Sequence, residues 1–547
     1  MTTLTAAAPG LHRLRWALTD IRVLTWRTLA RIAMTLVAAT VTAAADLVVG
    51  WRIHTGPAGV LLALGLATLF AYASAWEGAC VGMLARGAES AQAVGLTIIV
   101  PLSLTSNAFI STARLTPWLR DIANWNPIRS RCGCTSGGPG IDQESIDPDA
   151  RGRPGGTVMR IMVVTDQYAP MVGGVPTVTR TLARGLAQRG HAVALLAPSP
   201  GWRGRLDAEE QVSVHYRGSV PWPWYEGMRL ACVPACATRG VITAFAPDMI
   251  HVHSPVTLGV MARIGARRLR IPVVCTNHYL PVNVRPSLQQ RPRVSDALFY
   301  SYVVGFSNRC SHVTAPTATA LRLLRAQGLR VPSGVISNGV DLRTYSPGPA
   351  DERIRDRYGL PGGRPLILSV GRLSPEKRVD VLLDAAARLT GDAQVAIAGT
   401  GPEEAALRAR SQRLGLAGRV RFLGFVPGPD LPALYRLADV FAIASEAELQ
   451  SLTTMEAMAT GLPVVAADAC ALGELVSHGH NGFLAAPGQA GEMAAYLDAL
   501  ICDPDRRGAM AAASLRIISG HEHRRGLAEW ESLYGPLAAA GSGERLR

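Results

Sequence analysis

The chain contains a single lysine. Against Lys377 stand 54 arginines, so this is the one position where the cation is a compact ammonium and not a planar fork. Aromatic residues are also scarce, at 6% of 547 residues. There is no zinc-finger spacing and no aromatic-rich basic ribbon, which argues against nucleic acid as a partner. The nine cysteines are scattered. Cys132 and Cys134 fall in a linker-like stretch, and Cys232 and Cys236 lie four apart on an expected helix. No second pair completes a zinc site and no even framework sits in a small domain, so reduced thiols, mostly buried, are expected. No secretory signal is evident. No G-x-x-x-x-G-K-[ST] loop occurs, so the chain is not a P-loop ATPase.

The length calls for two to four domains. The net charge is +14, of which +2 falls in residues 1–150, where 11 Arg face 9 acids. A basic surface without nucleic acid suits anionic lipid or a phosphate-bearing substrate. Hydrophobic residues make up 48% of the chain and concentrate between 32 and 113. Three stretches there, Ile32–Gly50, Ala58–Gly78 and Gln92–Ile110, each hold the roughly 20 apolar residues that a bilayer core demands. Asp46 and Glu77 lie in or near them, where charge must face protein or an interface. Arg13, Arg15, Arg22, Arg27 and Arg31 precede the first stretch and place the N-terminus in the cytosol. After Ile128 the text turns to "RSRCGCTSGGPGIDQESIDPDARGRPGG", a linker without periodicity. "VVGWRIHTGPAGVLLALGLATLFAYASAW", "AESAQAVGLTIIVPLSLTSNAFIS" and "PWLRDIANWNPI" resemble the later half of ABC-2 type drug-exporter permeases. That resemblance covers residues 10 to 128. The first two spans and the sixth of that family have no counterpart.

From Met159 continuous apolar strands alternate with helices: "MRIMVVTDQY", "APMVGGVP", "TVTRTLARGLAQRG", "HAVALLAP". The alternation restarts after Tyr345 with "RPLILSVGRL", "AQVAIAGTG", "DVFAIAS" and "LPVVAA". This is the pattern of parallel sheets covered on both faces. The expected fold class is α/β, with two Rossmann-like domains behind an α-helical transmembrane segment. The expected boundaries are 1–128 for the membrane region, 129–158 for the linker, 159–343 for the first α/β domain and 344–547 for the second. Ligands bind at the carboxyl edge of such sheets, so the cleft between two of them is the expected site.

Several motifs fall at that edge. Gly173 and Gly174 join a strand to a helix, where backbone N–H groups approach a phosphate or sugar. Arg372 and Lys377 lie just past a strand end, five apart, and two cations there suit a pyrophosphate. Gly401, in "AGTGPEE", opens a turn suited to close backbone packing near a nucleotide. Asn338-Gly339 ends a strand at the hinge. In "ASEAELQSLTTMEAMATGLPVV" Glu448 stands on a loop after a strand and Glu456 on the second turn of a helix. A loop carboxylate accepts from sugar hydroxyls, and one on the helix clamps a ribose diol.

Together "GGVP", "TNHY", "SNGVD", "VGRLSPEK", "AGTGP" and E-x7-E resemble the retaining glycosyltransferases of family 4, which have the GT-B fold. The resemblance covers about 159 to 537. It implies a nucleotide diphosphate sugar as donor, GDP-mannose or a UDP-hexose. It places Arg372 and Lys377 on the pyrophosphate, Glu456 on the ribose, Glu448 on the transferred sugar and His278 near the reacting centre. Gly174, Gly401 and Leu452 are implied to line the donor site. No cofactor and no metal are implied. The only Asp-x-Asp pairs, Asp147/Asp149 and Asp503/Asp505, fall in the linker and a late loop. "AELQ" departs from the usual Glu-Gly-Phe-Gly. "TNHYLPVN" resembles the branch that glycosylates diacylglycerol or phosphatidylinositol, and Arg285, Arg291 and Arg293 follow it, suited to anionic lipid. The expected protein is a multi-pass membrane enzyme with its α/β domains on the cytoplasmic side. Two other readings stay open, a transporter permease subunit and a fusion in which neither half works.

Overall fold

The computed structural model describes residues 158–222, 227–232, 235–281 and 292–545. The three apolar stretches, Asp46, Glu77, the linker up to 157, Arg285 and Arg291 lie outside the described residues, and Arg293 is placed only by its backbone, in a helix. Among the described residues no helix is long and apolar enough to cross a membrane.

The first half holds strands β1 (Arg160–Val164), β2 (Ala192–Pro198), β3 (Arg205–Glu209), β4 (Val212–Arg217), β5 (Ser219–Pro221), β6 (Arg229–Ala231), β7 (Met249–Val252), β8 (Val273–Thr276), β9 (His312–Ala315) and β10 (Ser333–Val335). Its helices are α1 (Gly174–Gln188), α2 (Ala235–Phe245), α3 (Thr257–Leu269), α4 (Pro292–Ser307) and α5 (Ala318–Ala326). The second half holds α6 (Glu352–Arg357), β11 (Leu366–Val370), α7 (Val379–Ala386), β12 (Gln394–Ala398), α8 (Glu404–Arg413), β13 (Val420–Gly424), α9 (Leu431–Leu437) and β14 (Val440–Ile443). It continues through α10 (Leu452–Ala459), β15 (Val464–Ala467), β16 (Gly482–Ala485), α11 (Ala490–Ile501), α12 (Pro504–Ile518) and α13 (His523–Arg545).

Two large sheets result. The first runs β10-β9-β8-β7-β1-β2-β4-β3, parallel except for the β3–β4 edge. The second runs β13-β12-β11-β14-β15-β16 and is parallel throughout. In each, successive strands step outward from a central strand and then restart on its other side, between β1 and β7 and between β11 and β14. Crevices for ligands open at the carboxyl ends of such switch points.

The strand sequences dictate this burial. Along β1, Ile161 and Val163 enter the core on one face, and Met162 and Val164 the core on the other. A strand apolar on both faces has to be covered twice, which a parallel sheet with crossover helices achieves. Helix α1 turns Val178, Leu182 and Leu186 inward at four-residue spacing and stops before Gly190, whose φ of +95° suits only glycine without strain.

One element departs from the expected boundaries. Helix α13, read from sequence as the end of the second domain, buries Leu527, Trp530, Tyr534 and Ala538 in the core formed by β1, β2 and α1. Its approach runs beside the hinge: Val340 N–H donates to His521 O at 2.9 Å and His523 N–H to Val340 O at 3.0 Å. Gly339 makes that contact possible. A Cβ there would stand 2.7 Å from His523 Cα, and its φ is +74°. The cysteines also depart from expectation. Cys275 and Cys310 are buried, but Cys232, Cys236, Cys470 and Cys502 are exposed, and Cys232 precedes the helix instead of lying on it.

Candidate active site

Most of the residues that the sequence singled out come to the carboxyl edge of the second sheet and the facing edge of the first. The loop after β11 carries Arg372 and ends in a short turn, Pro375–Lys377. Buried Glu376 organises it: Ser374 Oγ donates to Glu376 Oε1 at 2.6 Å and Arg372 Nη2 lies 3.3 Å from the same oxygen. The loop after β14 crosses this turn, with Glu446 N–H donating to Glu376 O at 3.1 Å. That crossing places Lys377 Nζ 2.6 Å from Glu448 Oε1. Arg378, in the left-handed region at φ 47°, pairs with Glu446 and Asp380. Glu448 is only 8% exposed, so the ammonium beside it is its compensating charge.

Gly399 and Gly401 allow this packing. A Cβ on Gly399 would overlap the carbonyl of Gly371, and one on Gly401 the backbone of Leu373. Their side-chain-free backbone brings the β12 loop against the Arg372 loop. Gly174 opens α1 and Leu452 opens α10, and a Cβ on Gly174 would meet Leu452 Cδ1 at 3.9 Å. The two helix starts therefore face each other across the halves. Ser451 caps α10 by accepting from Thr454 N–H at 3.2 Å. Gln450 reaches the hinge: its Oε1 accepts from Asn338 N–H at 2.8 Å and its Nε2 donates to Ser337 Oγ at 2.9 Å. Leu449 inserts into the core of the first half, and Thr317 Oγ1 donates to its carbonyl at 2.8 Å.

Glu456 lies on the second turn of α10 and belongs to a different network. Tyr435 O–H donates to its Oε2 at 2.9 Å, and Tyr345 also bonds to it. Burial raises its pKa to about 7, against the opposing pull of the two hydroxyls. The folded carboxyl thus binds its proton more tightly than the unfolded one, whose pKa is near 4.5. Stability present below that lower value is lost as pH rises through about 7. Glu456→Gln removes the ionisation, so the melting temperature of the variant relative to the natural chain should climb between pH 5 and pH 8. A gap that stays constant over that range would contradict the assignment.

His278 follows β8 and is half-buried. Its Nε2 lies 2.9 Å from His253 Nδ1, the rings stacked at 10°. His253 packs in turn against His251, with centroids 4.0 Å apart and the rings tilted by 40°. His251 is held by Thr276 Oγ1 at 2.6 Å and Tyr534 O–H at 2.7 Å. Burial lowers the pKa of His278 to about 4 and of His251 to about 3, and that of His253 well below its usual value. All three are neutral at pH 7. His278 was legible in the amino-acid sequence, but its partners His251 and His253 were not. "HVHS" at a strand's carboxyl end was the available signal for His251 and His253. Nothing local marked Tyr345, Tyr435 or Tyr534, which arrive from distant segments.

Of the two Asp-x-Asp pairs, Asp147/Asp149 lies outside the described residues. Asp503 caps α12 by accepting from Arg506 N–H at 2.9 Å.

Residues 172–344 match the family model "Glycosyltransferase Family 4" and residues 350–516 the model "Glycosyl transferases group 1". A GDP-mannose-dependent alpha-mannosyltransferase of Mycolicibacterium smegmatis is 32% identical over 330 residues, which is 60% of this chain and 84% of that protein. The chain belongs to this glycosyltransferase family. As an enzyme it is a hexosyltransferase, and its fold is GT-B. An alpha-monoglucosyldiacylglycerol synthase of Streptococcus pneumoniae is 29% identical over 63% of this chain and 79% of its own length. Among solved structures, Anabaena HepE in complex with UDP and glucose superposes with a TM-score of 0.57 at 25% identity, covering 68% of this chain and 98% of that one. A sucrose-phosphate synthase from Thermosynechococcus elongatus, at 20% identity and TM-score 0.59, shares the fold. Residues 20–130 match the "ABC-2 type transporter" model, close to the range that the sequence resemblance covered.

Proposed function

We propose that this glycosyltransferase moves a hexose from a nucleoside diphosphate sugar to a lipid-type acceptor with retention at the anomeric carbon. The observation that carries the reading is the Lys377–Glu448 pair at 2.6 Å, beside Arg372, at the switch point of the second sheet. Arg372 and Lys377 stabilise the departing diphosphate, the position where negative charge grows during transfer. Glu448 accepts from hydroxyls of the transferred sugar. Glu456 takes the ribose diol, and the facing starts of α1 and α10, at Gly174 and Leu452, close over the donor with Gly401 behind. His278 sits near the reacting sugar. The bond from the anomeric carbon to the phosphate oxygen breaks as the acceptor oxygen bonds on the same face. The acceptor proton passes to the leaving phosphate.

The similar proteins named for GDP-mannose and for diacylglycerol support this donor and acceptor class. Residues 1–128 anchor the enzyme at the membrane, a role supported by the three apolar stretches and the transporter-model match. The acceptor domain comprises 159–343 together with α13, and the donor domain starts at 344.

The full chain in detergent, given labelled GDP-mannose or UDP-glucose with diacylglycerol or phosphatidylinositol, should yield an α-linked glycolipid. Yield should be the same with and without EDTA, since among the described residues no Asp-x-Asp stands at a strand end. A β-linked product, no transfer from any nucleotide sugar, or activity lost to EDTA and restored by Mg²⁺ would overturn the corresponding part of the reading.

A further inference from the structure

His253 is fully buried and holds the ring of His278. Its Nδ1 is taken by that contact. Its Nε2 is buried with no hydrogen-bond partner. Beside the ring lies a cavity of about 10 Å³, lined also by Thr276, Ser337, Asn338, His523 and Trp530. At about 10 Å³ it lies at the lower limit of what admits a water, its lining also includes Val178, Leu182 and Leu527, and it sits where the hinge meets α13.

A hydrogen bond between two neutral imidazoles contains one proton, and the nitrogen that carries it decides both tautomers. If His278 Nε2–H donates, His253 must carry its own proton on Nε2, an N–H buried without an acceptor. If His253 Nδ1–H donates, only a lone pair is left there. Buried N–H groups without partners are rarer than under-used acceptors, because the lost donor bond costs more. The second arrangement is therefore favoured, and it leaves the proton of His278 on Nδ1, the nitrogen that His253 does not occupy.

We propose that His253 is a positioning residue that fixes His278 as the Nδ1–H tautomer, so that His278 presents a hydrogen-bond donor to an oxygen of the bound donor or acceptor. The proposal rests on the reading above that His278 lies near the reacting sugar. It adds that His278 works as a neutral donor and not as a base. His251, packed behind His253 at a 40° tilt and tied to Tyr534, backs the pair.

The test uses the full chain with its histidines labelled with ¹⁵N, the His278 signals being assigned by their loss in His278→Ala. Two-bond ¹H–¹⁵N correlations at pH 7.5 should show His278 protonated on Nδ1. A spectrum showing Nε2–H would overturn the proposal. His253→Phe keeps a flat ring but removes the donor, and should lower kcat by about tenfold or more with donor KM nearly unchanged. His253→Asn places an amide N–H where Nδ1 stood and should recover most of kcat. Unchanged kcat in His253→Phe, or a loss in His253→Asn equal to that in His253→Phe, would also overturn it. The tautomer is read without turnover, so the two readings fail separately. If His278→Ala kept full kcat, the placement of His278 at the reacting centre would fall while the spectrum still decided the tautomer.

Discussion

Lys377→Ala should lower kcat/KM at least tenfold, about 1.4 kcal/mol of transition-state stabilisation, without unfolding the chain. Two losses combine in this variant. Under the proposed function the departing diphosphate loses a cation, and Glu448, 8% exposed, loses the ammonium 2.6 Å away. A buried carboxylate left unpaired at the leaving-group site opposes the charge that must grow there. The two substitutions Lys377→Ala and Glu448→Gln should therefore be non-additive, the double variant falling short of the product of the single effects. Lys377→Arg should not restore the rate, because a planar fork cannot take the place of a point charge in the turn after Pro375. Steady-state kinetics with a matched thermal melt decide the matter. Unchanged turnover in Lys377→Ala would remove this residue from the site.

The largest stability effect is expected at the far end of the chain. Trp530→Ala should destabilise the first domain by about 3–5 kcal/mol, as large-to-small changes of buried aromatics do. Trp530 is 6% exposed, and its ring centroid lies 4.7 Å from that of His251. The helix that carries it follows the second half in the chain but packs in the core of the first. The melting temperature should fall by roughly 10 °C. Ser532→Ala, on the exposed side of α13, should stay within about 0.5 kcal/mol. Equal melting temperatures for Trp530→Ala and the natural chain would contradict the placement of α13.

The amino-acid sequence by itself determined the two α/β halves and put most of the candidate residues near the carboxyl ends of strands. Strand burial and helix periodicity are local properties, written in runs such as "RIMVV" and "AQVAIAG". A ligand edge follows from them, because parallel strands all end on the same side. Glu448 and Lys377 were legible for the same reason, each lying within a few residues of a strand end. That they form a pair depended on the crossing of two loops 71 residues apart, held by the Glu446–Glu376 backbone contact. The raised pKa of Glu456 needed Tyr345 and Tyr435, brought from a hinge and from α9 by packing alone. The histidine stack shows the same division. "HVHS" and "TNHY" sit at two strand ends in the text, but only the adjacency of β7 and β8 brings the two rings into contact. Helix α13 reads as the continuation of the second domain, and only the apolar face of the first sheet, uncovered without it, decides where Trp530 and Tyr534 are buried.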